Sequence, residues 1–188
     1  MIGRVPRLLV LPMFLATIFL ALGSQEVLAY HLEGPTWGNQ PPPHTCCAYF
    51  YIYNTNSWHG SDYQNMGTGI NLWSSSVAPI YMYWTSGSQL ITAQDTINSG
   101  VTWDGITYYQ WNVFNNFTGA QVYLNYYYTK SYATGEVVGV AVHELGHSLG
   151  LAHSSGCVIM VGDTYTRWTV CGIDAPQTDD TNGIAAMY

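Results

Sequence analysis

Basic side chains are nearly missing from this chain. Four Lys and Arg stand among 188 residues, against 11 Asp and Glu, for a formal charge of −7. Arg4 and Arg7 sit at the extreme N-terminus, so only Lys130 and Arg167 remain after residue 29. A surface this poor in cations cannot neutralise a row of phosphates, which argues against nucleic acid as a partner. Long apolar runs are equally scarce. One extends from Leu8 to Leu22 behind the two arginines, and it is short for a full membrane span. A polar stretch then ends in Val27-Leu28-Ala29. Basic start, apolar middle and small-residue end together predict a secretory signal, residues 1–29, cut after Ala29. No Cys follows the apolar run for lipid attachment. No stable membrane association is therefore expected after cleavage, and the product is placed outside the cell. Residues 30–188 suffice for one domain with a sizeable core. No repeat or low-complexity linker divides them, and a monomer is the default.

Cysteine is sparse but even in number: Cys46, Cys47, Cys157 and Cys171. In an exported chain this suggests disulfides, with three connectivities open. Cys157 with Cys171 is the preferred pair, closing a short loop; the pairing of the adjacent Cys46 and Cys47 stays open. Aromatics, by contrast, are plentiful, with 16 Tyr and seven Trp, as suits a β-rich scaffold.

Gly38 to Pro43 reads as an extended, polyproline-like segment. Ala48–Tyr53 and Ile80–Thr85, aromatic and β-branched, predict strands, and two more are expected near Gly105–Trp111 and Ala120–Tyr128. Between the first two, Tyr63, Met66, Ile70, Trp73 and Val77 recur at helical spacing, weakened by Gly67 and Gly69. Thr134 is the expected cap of a buried helix with Glu136 in its first turn, ending at Gly150. Thr178-Asp179-Asp180 opens a short last helix. Strands first and helices later give an α+β class.

Three of the six histidines fall within HELGHSLGLAH, residues 143–153. On a helix, His143 and His147 lie one turn apart, ~40° around the axis, and face one point. Glu144 projects beside that point, able to take a proton from a metal-activated water. Gly150 lets the chain leave the helix, and His153 can return as a third ligand. Three imidazoles leave a fourth position open, as in catalytic rather than structural zinc sites. Chance would produce the pattern in roughly one chain in 10⁵ of this length. The expected cofactor is one catalytic Zn²⁺.

HELGHSLGLAHS followed by CVIM resembles the signature of metzincin zinc peptidases, and of the matrixin branch in particular. Ser154 after the third histidine, QTDDTNGIAAMY and YHLEGPTW with Trp37 add to the likeness. The resemblance implies a twisted, mostly parallel five-stranded sheet with an antiparallel edge strand beside the cleft, and about three helices. It also implies a zinc-dependent endopeptidase acting on protein or peptide substrates. His143, His147 and His153 would bind zinc, Glu144 would be the general base, and Met160 would form the turn beneath the metal. In matrixins an acid at the position of Asp179 or Asp180 can receive a newly made N-terminal ammonium. The edge strand is assigned to Gly105–Trp111.

Departures from the pattern bear on regulation and specificity. No cysteine-bearing propeptide is read between the leader and the domain. A histidine–aspartate cluster for a second zinc is not recognisable; His31, His44 and His59 are scattered. No Pro lies near Met160, and Tyr165 is too far on to serve as a tyrosine ligand, which alters the specificity pocket. Calcium, common in metzincin domains, has no loop motif to support it here. The competing class is a non-catalytic zinc-binding, adhesion or carbohydrate-binding module on the same scaffold. It explains the tyrosines but gives no reason to keep Glu144 beside an open site.

Overall fold

A computed structural model describes residues 30–38, 47–55, 57–87 and 90–188. The predicted signal, most of the proline-rich segment, His44 and Cys46 lie outside them. Five strands form one sheet: β2 (Ala48–Asn54), β3 (Ile80–Thr85), β4 (Ile91–Thr96), β5 (Gly105–Trp111) and β6 (Phe117–Asn125). A two-residue strand, β1 (His31–Leu32), precedes them, and another, β7 (Leu151–Ala152), follows. The helices are α1 (Asp62–Ser74), α2 (Tyr126–Thr129), α3 (Thr134–Leu149) and α4 (Thr178–Ala185), with a π-helical turn at Thr166–Val170.

The sheet runs β3-β2-β4-β6-β5. Neighbours are parallel except β5, which pairs antiparallel with β6 and leaves its other side as a sheet edge. This is the expected α+β architecture, with the antiparallel edge strand where Gly105–Trp111 was placed. Alternation decides the two faces. Ile52, Ile91, Ala93, Val122 and Leu124 are fully buried or nearly so, whereas Tyr51 and Tyr83 point the other way and stay about half exposed. The buried face receives α1 and α3. Met66, Ile70 and Trp73 of α1 meet Leu145 and its neighbours on α3 in one core. The Trp73 indole N–H donates to the Val142 carbonyl at 2.9 Å, tying the helices together.

Three expectations need correction. Thr134 is the first residue of α3, not its cap; Ala133 precedes it, and Glu136 folds back to accept from the Ala133 amide at 3.4 Å. The strand expected at Ala120–Tyr128 begins at Phe117 and ends at Asn125. There the Asn125 side chain accepts from the Tyr127 amide and starts α2 instead. The fifth strand, β4, was not assigned from the sequence.

Candidate metal centre

Helix α3 is buried almost throughout because it crosses beneath the sheet and presents His143 and Glu144 to the cleft. Gly150 ends it with φ +109°, a left-handed conformation that other residues resist. The chain turns back at once into β7, which pairs with β1 and brings His153 opposite the helix. The His143 and His153 Nε2 atoms lie 3.2 Å apart, as do those of His147 and His143.

Hydrogen bonds to carbonyls fix the ring tautomers. His143 Nδ1 lies 2.8 Å from the Ile159 carbonyl, and His147 Nδ1 lies 2.7 Å from the Leu151 carbonyl. A carbonyl only accepts, so both Nδ1 atoms carry the proton and both Nε2 atoms present lone pairs. Lone pairs facing each other at this distance call for a cation between them. Tetrahedral zinc with Zn–N bonds of ~2.05 Å separates its nitrogens by ~3.3 Å, so the donor set fits zinc. Burial, the Arg167 charge and His147 hold the His143 pKa well below its ordinary value, and burial lowers that of His153. Burial also pulls on His147, but Glu33, Glu144 and the Leu151 carbonyl outweigh it and raise its pKa.

Glu144 is 5% exposed. The Thr107 hydroxyl of β5 lies 2.8 Å from both its Oε2 and its main-chain carbonyl. Burial pushes the Glu144 pKa up to about 7, against the opposing pull of His147 and Thr107.

Met160 is buried, and its main-chain carbonyl accepts from the Ser154 amide at 2.9 Å. Its sulfur packs on α3 at Gly146, where any Cβ would collide with it. The turn carrying Met160 is held from α4. Asp180, 1% exposed, accepts from the Ile159 amide at 3.0 Å, the Met160 amide at 3.1 Å and the Gln177 amide at 2.7 Å. Ile159 is thus gripped by Asp180 through its N–H while its carbonyl orients His143. Asp179 instead accepts from the Ser154 hydroxyl at 3.3 Å. Cys157 and Cys171 are joined in a disulfide, with Cα atoms 5.5 Å apart, bracing the segment after the third histidine.

The sequence reading missed several neighbours of the site. Glu33 places Oε1 3.6 Å from His147 Nδ1, and His31, read as scattered, sets Nδ1 3.0 Å from the His153 carbonyl. Both belong to the segment that pairs with β7, and no local motif marks them. Two hollows flank the triad. One of about 230 Å³ is lined by Glu33, Thr107, Tyr109 and Glu144; the other, about 550 Å³, reaches from His143 and Glu144 to Tyr132 and Arg167.

The model of the matrixin peptidase family matches residues 81–188, more than half of the chain. The chain belongs to the matrixin family. Among curated matrixin relatives, human neutrophil collagenase is 41% identical over 61 residues, covering 32% of this chain and 13% of that protein. Human matrix metalloproteinase-20 is 45% identical over 49 residues, covering 26% of this chain and 10% of that one. The chain therefore aligns with only a small part of these relatives' lengths. Among solved structures, myroilysin overlaps with a TM-score of 0.42 at 18% identity, covering 63% of this chain and 54% of that one. High choriolytic enzyme 1, a hatching-enzyme zinc protease of Oryzias latipes, gives 0.39 at 13% identity, covering 62% of this chain and 52% of that one.

Proposed function

We propose that this matrixin is a secreted zinc-dependent endopeptidase, with His143, His147 and His153 as the zinc ligands and Glu144 as general base. The observation that carries the reading is the convergence of three imidazole nitrogens, two of them with their lone pairs turned inward, beside a buried carboxyl in a cleft along a sheet edge. Zinc, when bound, supplies Lewis acidity towards a carbonyl oxygen and makes water acidic near neutral pH. Glu144 accepts the proton of the attacking water and later delivers it to the departing amine. Thr107 holds that carboxyl in place. The unpaired side of β5 receives the substrate as an added antiparallel strand, main chain to main chain. Met160 forms the apolar floor under the ligands.

Export is supported by the leader read in residues 1–29 and by the disulfide. Among the described residues no helix is long and apolar enough to cross a membrane. The histidine triad is the one group of three or more His, Cys, Asp or Glu side chains placed to hold a metal ion among those residues. Of the two acids, Asp179 is the better partner for a new ammonium at Tyr30, because Asp180 is committed to three amides. The Tyr30 ring packs against α4 at Gly183, one turn beyond.

The test measures metal content and cleavage of a denatured protein together. About one zinc per chain, with cleavage lost on chelation, supports the proposal. Glu144→Gln is expected to keep the metal while turnover drops about 10²- to 10⁴-fold. Zinc without cleavage would favour a binding module, and a chain that takes up no zinc would end the reading.

A further inference from the structure

The larger hollow beside the triad has an unusual charge. It opens where β5 begins, at Asp104 and Gly105, and runs between the first turn of α3 and the loop Gly162–Arg167. A peptide lying antiparallel to β5 runs from the Trp111 end towards the Gly105 end. Its first residue after the scissile bond therefore meets this hollow.

Asp104, Glu136 and Asp163 line the hollow. Tyr132 stands between the first two, its hydroxyl donating to Asp104 Oδ2 at 3.2 Å while Glu136 acts on it through space. Asp163 stands at the exposed mouth. Arg167 is the opposing charge, but only 2% of it is exposed. Its terminal nitrogens are already used, donating to the Val161 carbonyl at 2.9 Å and the Thr164 hydroxyl at 2.7 Å. No carboxylate comes within ion-pair distance of it among the described residues. Apart from Glu144 and the histidines, the lining sets three carboxylates against one recessed guanidinium, an excess of negative charge on the walls away from the metal ligands. An apolar side chain filling it could pack on Trp103 and Tyr165 but would strip water from Asp104 and Glu136 without replacing those contacts, whereas a basic one can do both.

We infer that this hollow selects a lysine or arginine at the residue following the scissile bond, with Asp104 and Glu136 meeting its charged end. The inference rests on the peptidase reading above and names its substrate class: peptides with basic side chains. The chain's charge of −7 favours the approach of such peptides as well.

The test uses zinc-loaded protein and a peptide set differing only at the residue after the scissile bond, with products identified by mass. The expected kcat/KM for Lys or Arg exceeds that for Leu by about tenfold. That ratio should fall about fivefold in Asp104→Asn and in Glu136→Gln, and should shrink between about 50 and about 500 mM NaCl. Both substitutions keep side-chain size, and a ratio within one variant is independent of its folded fraction. Equal or better cleavage of Leu peptides by the wild type, or a ratio unmoved in both variants, overturns the inference but leaves the peptidase reading standing. No cleavage of any peptide by protein carrying zinc removes that reading, and this one with it.

Discussion

Asp180→Ala tests how the metal centre is held. The substitution removes an acceptor from three buried amides, those of Ile159, Met160 and Gln177. At about 1 kcal/mol net per bond the loss is about 3 kcal/mol. Burial raises the Asp180 pKa despite the three donors, a desolvation cost that a neutral Asn does not carry. Asp180→Asn should accordingly be milder. One amide oxygen can keep Ile159 and Gln177, and the bond to Met160 is lost, for about 1–2 kcal/mol. In a domain of this size 3 kcal/mol corresponds to about 6–12 °C in Tm. The damage should also reach the metal. His143 is oriented by the carbonyl of Ile159, the residue whose N–H Asp180 holds. Zinc affinity is therefore expected to fall about 10- to 100-fold in Asp180→Ala, as for other partners of metal ligands. Denaturant unfolding of zinc-saturated protein measures the first effect, and competition with a calibrated chelator the second. A variant that loses less than about 1 kcal/mol and binds zinc as tightly as wild type would refute the chain of support from α4 to His143.

Asp62, 2% exposed at the start of α1, has its pKa pushed up to about 6 by burial, with Thr129 donating to it and Asp95 nearby. Because the folded pKa lies above the unfolded one, this group's stability is present below pH ~4 and lost as pH rises through ~6. Asp62→Asn should remove that slope and stabilise the protein at pH 7 by up to about 3 kcal/mol, read from denaturant midpoints at both pH values. Cys157→Ser with Cys171→Ser opens a link between residues 14 apart and should cost about 3 kcal/mol; an unchanged midpoint under non-reducing conditions would contradict a bracing role. Acetylating the amine of protein cut before Tyr30 should lower Tm or turnover if that amine meets Asp179, and leaving both unchanged would exclude the pairing.

What could be read ahead of the structure was what local spacing encodes. The triad and Glu144 share a single helix and its exit turn, so their convergence follows from helical geometry and Gly150. The strands at Ala48 and Ile80 announce themselves by their aromatic and β-branched composition. β4 does not: its sequence ITAQDT carries Gln94 and Asp95, and the buried Asp95 is satisfied by His59, 36 residues earlier, whose ring lies 3.0 Å from it. Tyr126–Thr129 looks like strand by composition, yet the Asn125 side chain caps it as a helix. Asp180 was legible as a helix-start residue, and α4 does use it so. Its second role depends on the Met160 turn folding against it from 20 residues away, which no local pattern encodes. Glu33 and His31 reach the site through β1, a strand of two residues with no periodicity to detect.

That short strand has a kinetic meaning. His31 and His153 are 122 positions apart, and Leu32 pairs with Leu151. Closing so long a loop costs more chain entropy than forming a hairpin such as β5–β6, and contacts of this separation assemble late. Sheet and helices can therefore be in place while the segment bearing the third imidazole still lacks its outer strand. In refolding experiments, protection of the Leu151–His153 amides and the onset of proteolytic turnover should appear together, after the secondary structure has formed. If the chain is the peptidase proposed above, this order of assembly would leave it the least time able to cut its own unfinished neighbours.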